Sequence, residues 1–290
     1  MKKYIVLVLM LFAEVAFAKK ISVHGHRGAR SVRPENTISA FKYALEVGVD
    51  VLEFDLSVTK DNVLILSHDP WIDKDICLGP KGKKLKEKIP VNTLTLAEVK
   101  QFDCGSLINP RFKKQVPQKG ERIPTLAEVF DFVKNSEIPG AKTVEFNIET
   151  KIVPSLPDLT PSPKQFAEML VKELKAAGMD SRTIVQSFDH RTLYWVKKID
   201  SKIRISQLTS DSMVDMVGAA KGISAEFISP YMHWISKDMV QRLHKNGIQV
   251  APWTANEAKD WDYLISIGVD AIITDDPKAL IDYLKKKKLR

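Results

Sequence analysis

The chain has 290 residues, 44% hydrophobic and 28% charged, with 13 glycines and 15 prolines, so it is long enough to bury a sizeable core and is neither a disordered nor a collagen-like composition. Its formal net charge of +8 is compatible with an anionic partner or with a merely solubilising surface. The lysines of 81–88 and 285–290, which carry much of the excess, are not interleaved with aromatics, and this argues against a nucleic-acid partner.

Residues 1–18 read as an export signal. Lys2 and Lys3 precede an apolar run, Tyr4–Ala13, too short to span a bilayer, and Ala16-Phe17-Ala18 is a small-x-small cleavage site. The expectation is a chain maturing at Lys19, exported to the periplasm or secreted, with no stable membrane anchor after cleavage; the alternative is an uncleaved anchor. The first expected strand, Ile21–His26, leads to a helix over Thr37–Val47 with Asn36 as its N-cap and Gly48 as its stop. A second strand, Val51–Leu56, and an added one, Val63–Ser67, precede a lysine-rich, Gly/Pro-punctuated insertion at about 70–122 with one helical stretch, Leu96–Gln101, capped by Thr95. The insertion holds both cysteines, Cys77 and Cys104, which are either one disulfide or two separate small buried residues.

From there strand and helix alternate. A helix at Leu126–Asn135, capped by Thr125, is followed by a strand at Thr143–Ile148, a proline-stiffened loop (Pro154, Pro157, Pro161, Pro163) that could cover a substrate, and a helix at Pro163–Ala177. Strands at Thr183–Ser187, Ile203–Leu208, Ala225–Ile228, Ile248–Ala251 and Ala271–Thr274 each precede a helix, at His190–Ile199, Ser212–Ala219, Lys237–Asn246, Ala258–Ile267 and Lys278–Lys286. Eight strand–helix units predict an α/β protein, a (β/α)8 TIM barrel spanning 19–290 with an insertion after the second strand. The competing open, doubly wound sheet usually offers a glycine-rich phosphate loop after its first strand, where His26-Arg27-Gly28-Ala29-Arg30 stands instead.

Barrel enzymes carry their chemistry at the C-terminal ends of strands. Glu53 and Asp55, two apart, share one face of a strand whose other face carries Leu52, Phe54 and Leu56; Asn147, Glu149 and Lys151 repeat the pattern. Carboxylates gathered on a buried face repel unless a cation lies between them, so Glu53, Asp55 and Glu149 form an oxygen-rich set suited to Ca²⁺ or Mg²⁺, the alternative being ion pairs with Arg27 and Lys151. His26 and His68 end neighbouring strands and suit general base and general acid, and Arg27 and Lys151 suit phosphate. His24 is a weaker candidate on the same face as His26; His190 and His244 read as surface, and His233 is unassigned. Phe188, Tyr231, Trp253 and Trp234 either line the mouth or pack the fold. Asp275 and Asp276, before Pro277, read as helix caps rather than metal ligands.

These residues carry a wider pattern. His26-Arg27-Gly28, Arg33-Pro34-Glu35-Asn36-Thr37, Leu52-Glu53-Phe54-Asp55, Thr59-Lys60-Asp61 and His68-Asp69, then Phe146-Asn147-Ile148-Glu149-Thr150-Lys151, Gln186-Ser187-Phe188, Trp253-Thr254-Ala255-Asn256 and Thr274-Asp275-Asp276-Pro277, resemble the signature of the glycerophosphodiester phosphodiesterase family. The resemblance implies a hydrolase that releases glycerol 3-phosphate and an alcohol from small glycerophosphodiesters such as glycerophosphocholine or glycerophosphoethanolamine. It implies one divalent cation on Glu53, Asp55 and Glu149, His26 and His68 as base and acid, and Arg27 and Lys151 on the phosphate. Attack by water and attack by the substrate's own 2-hydroxyl are both open. The competing expectations are a lysophospholipase D or sphingomyelinase D-like enzyme acting on lipids and, in another class, an inactive barrel retained as a binding protein.

Overall fold

The structure is a computed structural model that describes Lys20–Arg290, so the expected export signal lies outside the described residues. In chain order the elements are β1 (Ser22–Gly25), α1 (Ile38–Val47), β2 (Val51–Val58), β3 (Leu64–Leu66), β4 (Trp71–Ile72), β5 (Ile89–Pro90), α2 (Leu96–Val99) and α3 (Leu126–Asn135). Then come β6 (Glu145–Thr150), α4 (Pro163–Ala177), β7 (Thr183–Ser187), α5 (His190–Ile199), β8 (Arg204–Thr209), α6 (Met216–Gly222), β9 (Phe227–Pro230), α7 (Lys237–Lys245), β10 (Gln249–Val250), α8 (Ala258–Ile267), β11 (Ala271–Thr274) and α9 (Pro277–Lys286). Eight strands lie side by side and parallel in the order β10–β9–β8–β7–β6–β2–β1–β11. Between β11 and the β10 segment, backbone bonds from Asp270 N to Val250 O, Ile273 N to Pro252 O and Ala255 N to Ile273 O bridge the remaining gap. The architecture is the expected (β/α)8 barrel, and the open sheet is excluded.

The alternation read from β2 holds. Leu52, Phe54 and Leu56 point outward into the core shared with the helices, where Phe54 meets Phe41 of α1 at 5.5 Å and Phe146 of β6 at 6.3 Å, and Phe146 meets Phe130 of α3 at 5.1 Å. These edge-on rings fix the strands whose inward faces carry the carboxylates. The β2–β6 register sets Asp55 beside Glu149, and β6 runs two residues further than expected, so Glu149 is a strand residue.

β3 is not a barrel strand. It returns antiparallel to β2 and brings His68 back to the level of Asp55, where Ser67 N bonds Asp55 O at 3.1 Å. The insertion follows, with a hydrophobic cluster of its own around Ile72, Val91, Val99 and Phe102, and in it Cys77 and Cys104 are joined in a disulfide. The proline-stiffened loop after β6 reaches it through a hydrogen bond from Asn92 Nδ2 to the Asp158 carbonyl. Three helix starts are capping boxes, Thr95–Glu98, Thr125–Glu128 and Ser162–Gln165. Asn36, expected as the cap of α1, is not: Thr37 takes that place, accepting from Ala40 N, while Asn36 turns its amide to Asp55. α6 starts four residues later than expected because Asp215, not an earlier residue, accepts from Gly218 N.

Candidate active site

The loop after β1 begins the site. Arg27 has φ 48° and Gly28 φ 83°, and a Cβ on Gly28 would stand 2.8 Å from that of Ala40, so this tight turn needs glycine where it crosses α1. The turn aims the Arg27 backbone N–H at Glu53 Oε2 (2.8 Å) and its guanidinium at Glu35 (2.6 Å) and Asp55 (3.2 Å). Burial works against the Arg27 charge, but Glu35 and Asp55 overcome it and hold the group protonated.

Glu53, Asp55 and Glu149 are all buried and each offers an oxygen such that the three atoms lie within 4.8 Å of one another. Gln186 Nε2 donates to Glu53 Oε1 at 2.7 Å, and Asn147 in turn donates to Gln186 at 2.9 Å; Asn36 donates to Asp55 Oδ2 at 3.0 Å; Lys151 Nζ lies 2.8 Å from Glu149 Oε1. Each carboxylate is thus oriented by a donor behind it, the arrangement that metal ligands require. Asp55 Oδ1 is buried and accepts no hydrogen bond; Lys151 Nζ lies 3.9 Å from it. Burial first, then the Asp55 charge, raises Glu53 well above the usual carboxylate range; burial also raises Glu149, with Lys151 opposing. Burial would raise Asp55 too, yet Arg27, His68 and Lys151 hold it far below that range. An orphaned anionic oxygen and two neighbouring carboxylates whose charged forms burial disfavours fit a divalent cation better than ion pairing alone.

His26 and His68 stand on either side of this cluster. His26 Nδ1 bonds Asp275 Oδ1 at 2.6 Å, which leaves Nε2 facing the carboxylates, 4.0 Å from Glu53. Burial, with Arg30 adding to it, lowers His26 to about 4 against the pull of Asp275, so the ring is neutral near pH 7 and its free nitrogen can accept a proton. His68 Nδ1 bonds Asp69 at 2.9 Å. Phe188, Trp253 and Lys151 line the same cavity of about 230 Å³; Phe188 and Trp253 meet edge-on at 5.4 Å.

Several expectations need correction. Asp275 is not a cap: it accepts from Arg30 Nε (2.6 Å) and Asn256 Nδ2 (2.8 Å) as well as pairing with His26, and only Asp276 caps α9. Tyr231 stacks behind Trp253 at 5.4 Å and, with the exposed Trp234, is absent from the cavity wall. His190 and His244 are half-buried rather than surface residues, with His190 Nε2 on the Leu208 carbonyl and His244 Nε2 on Asp270. His233 is exposed and rests against Tyr231, and His24 is buried below the site beside Asn147. Residues without a role in the sequence reading, namely Arg30, Glu35, Gln186 and Asn256, hold the side chains that were assigned one; all but Arg30 lie within the motif segments, and that is the signal they carried.

A closed parallel barrel whose mouth gathers buried carboxylates, two histidines and paired cations defines a class, the barrel phosphodiesterases. The chain belongs to the glycerophosphoryl diester phosphodiesterase family, whose sequence profile matches residues 26–279. It is 34% identical over 267 residues to a glycerophosphodiester phosphodiesterase of Caldanaerobacter subterraneus subsp. tengcongensis, covering 92% of this chain and 99% of that one. It is 26% identical over 282 residues to a lysophospholipase D of Mus musculus, covering 92% and 83%. A crystal structure of a Silicibacter pomeroyi protein assigned to the same family matches with TM-score 0.86 at 27% identity, covering 93% and 95%. The protein is therefore an enzyme, and the inactive-barrel expectation falls.

Proposed function

We propose that the enzyme hydrolyses small glycerophosphodiesters to glycerol 3-phosphate and an alcohol, using one divalent cation, Ca²⁺ or Mg²⁺, held by Glu53, Asp55 and Glu149. The observation that carries this is the convergence of three buried carboxylate oxygens with the free Nε2 of His26 at one mouth. The chemistry such a cation supplies is neutralisation of a phosphoryl oxygen and acidification of the attacking group. Arg27 and Lys151 bind the remaining phosphate charge. His26, its Nδ1 proton held by Asp275, takes a proton at Nε2 from the attacking hydroxyl or water. His68, steadied by Asp69, gives a proton to the departing alcohol oxygen. Phe188 and Trp253 pack the glycerol moiety.

The test is release of glycerol 3-phosphate from glycerophosphocholine before and after chelation. Activity should vanish with the cation and return on adding Ca²⁺ or Mg²⁺; turnover that survives complete removal would overturn the cation's role. His26→Ala and His68→Ala should each lose at least ~100-fold in rate while still binding cation by calorimetry.

A lysophospholipase D activity is the second reading. Leu156, Phe188, Val214 and Trp234 are exposed on the loops that follow β6, β7, β8 and β9, an apolar rim that an acyl chain could cross, and the mouse relative carries that name. Turnover of lysophosphatidylcholine against glycerophosphocholine separates the two. Export to the periplasm or outside the cell belongs to the same proposal, with 1–18 as a cleaved signal and 19–290 as the enzyme; the sequence of the first eighteen residues and the Cys77–Cys104 disulfide support it, since such bonds persist in oxidising compartments.

A further inference from the structure

Two cavities meet at His68. One, of about 230 Å³, contains His26, Glu53, Glu149 and Lys151. The other, of about 290 Å³, lies under the insertion against the disulfide. Arg27, Arg30, Arg111 and His68 line both, so the boundary between them is cationic. Past that boundary the sign reverses. The charged residues that line only the second cavity are Glu35, Asp69 and Asp73, with no lysine or arginine among them. Glu35 is engaged by Arg27 and Asp69 by His68, whereas the Asp73 carboxylate accepts only the Asp75 backbone N–H and has no ion pair among the described residues. Trp71 adds an aromatic wall, and its indole Nε1 is buried without a partner.

The two histidines give this second cavity a direction. In a displacement at phosphorus the attacking and leaving oxygens lie roughly in line, on opposite sides. His26 lines only the first cavity, while His68 opens onto both. If His26 serves the attacking oxygen and His68 the leaving one, the alcohol departs towards the second cavity and the glycerol stays with Phe188 and Trp253. A phosphate held at the arginine boundary then places whatever the alcohol carries next to carboxylates and an indole.

We propose that the cavity under the insertion is the leaving-alcohol subsite, and that Asp73, Asp69 and Trp71 select alcohols bearing an ammonium group. This rests on the phosphodiesterase reading and on its assignment of the two histidines. A cation set between a carboxylate and an indole face gains from both, by Coulomb attraction and by the ring quadrupole. Lys88, which does not line the cavity, holds its ammonium 4.4 Å from the centre of the Trp71 ring, so that ring already carries a cation. Lys88 therefore competes with an ammonium ligand, and removing it strengthens the selection.

The experiment compares glycerophosphocholine, whose leaving alcohol is cationic, with glycerophosphoglycerol, whose leaving alcohol is neutral, on the intact enzyme. Asp73→Asn and Trp71→Leu should each raise KM for glycerophosphocholine roughly three- to tenfold and leave glycerophosphoglycerol unchanged. Lys88→Met should move the ratio the opposite way. Equal effects on both substrates, or none on either, would overturn the subsite. A measurement needing no variant is inhibition of the wild-type enzyme by choline against its uncharged isostere 3,3-dimethylbutan-1-ol; choline should act at roughly tenfold lower concentration, and equal potency would count against the proposal. If the wild-type enzyme cleaves neither diester, the phosphodiesterase reading itself fails and takes the subsite with it. If it cleaves both without discrimination, only the subsite fails.

Discussion

Asp275 takes hydrogen bonds from His26, Arg30 and Asn256 at once, and burial would raise its pKa were it not for the first two, which hold it well below the carboxylate range. In the proposed mechanism its part is positional: it fixes which nitrogen of His26 carries the proton and which way the other faces. Asp275→Asn should lower kcat by about 100-fold while KM and cation affinity change little, measured by steady-state kinetics and calorimetry. The melting midpoint should drop as well, because Arg30 is left buried without its counter-charge, so the kinetics belong well below it. In the sequence, Asp275 sits two residues before a proline and looks like any helix cap. What reveals its part is closure of the barrel, which pairs Thr274 of the last strand with Gly25 of the first and so sets Asp275 beside His26. Glu53 and Asp55 were legible because alternation along one strand is a local rule. Asn36 was not, since its left-handed backbone, φ 56°, takes it out of the capping position and aims it at Asp55.

The strand–helix rhythm was visible because each barrel unit carries its own start and stop signals, and seven of the eight helices that follow barrel strands begin within one residue of expectation, six of them with their ends in place. The insertion was visible only as an interruption. Its form depends on contacts far apart in sequence, namely a small cluster around Phe102 and a cross-link between residues 27 apart. No periodicity marks either one, and two cysteines alone do not say whether they meet. Closing a loop of that length in the unfolded chain stabilises the fold by roughly 3 to 4 kcal/mol in the chain-entropy account. Cys77→Ser with Cys104→Ser should therefore reduce stability by an amount of that order. Hydrogen exchange should quicken across 70–122 while the amides of β2, β6 and β7 stay protected. Uniform loss of protection would mean that the insertion and barrel unfold as one unit.

At the scale of the whole molecule, proton binding couples the barrel interior to its stability. His24 and His26 are both lowered by burial from 6.5 to about 4. The folded chain keeps them neutral where the unfolded chain would protonate them, so their contribution is intact above pH 6.5 and is lost as pH falls towards 4, on the order of 3 kcal/mol for each. Wild-type protein should lose denaturant stability between pH 6.5 and 4.5 more steeply than His24→Gln, which takes up no proton; parallel slopes would refute this. Glu53 and Glu149 have the opposite sign, since their raised pKa values mean that charging them as pH rises destabilises the cation-free fold. A divalent cation competes with those protons, so the rise in melting midpoint that it produces should grow with pH. The base of the barrel carries a different consequence. Asp50, just before β2, holds Lys20 at 2.7 Å and also pairs with Arg290, so both ends of the described chain gather on the face opposite the mouth. A bead, a surface or a fused partner attached at Lys20 or Arg290 hangs from the floor of the barrel, and the cleft looks away from whatever the enzyme is tethered to.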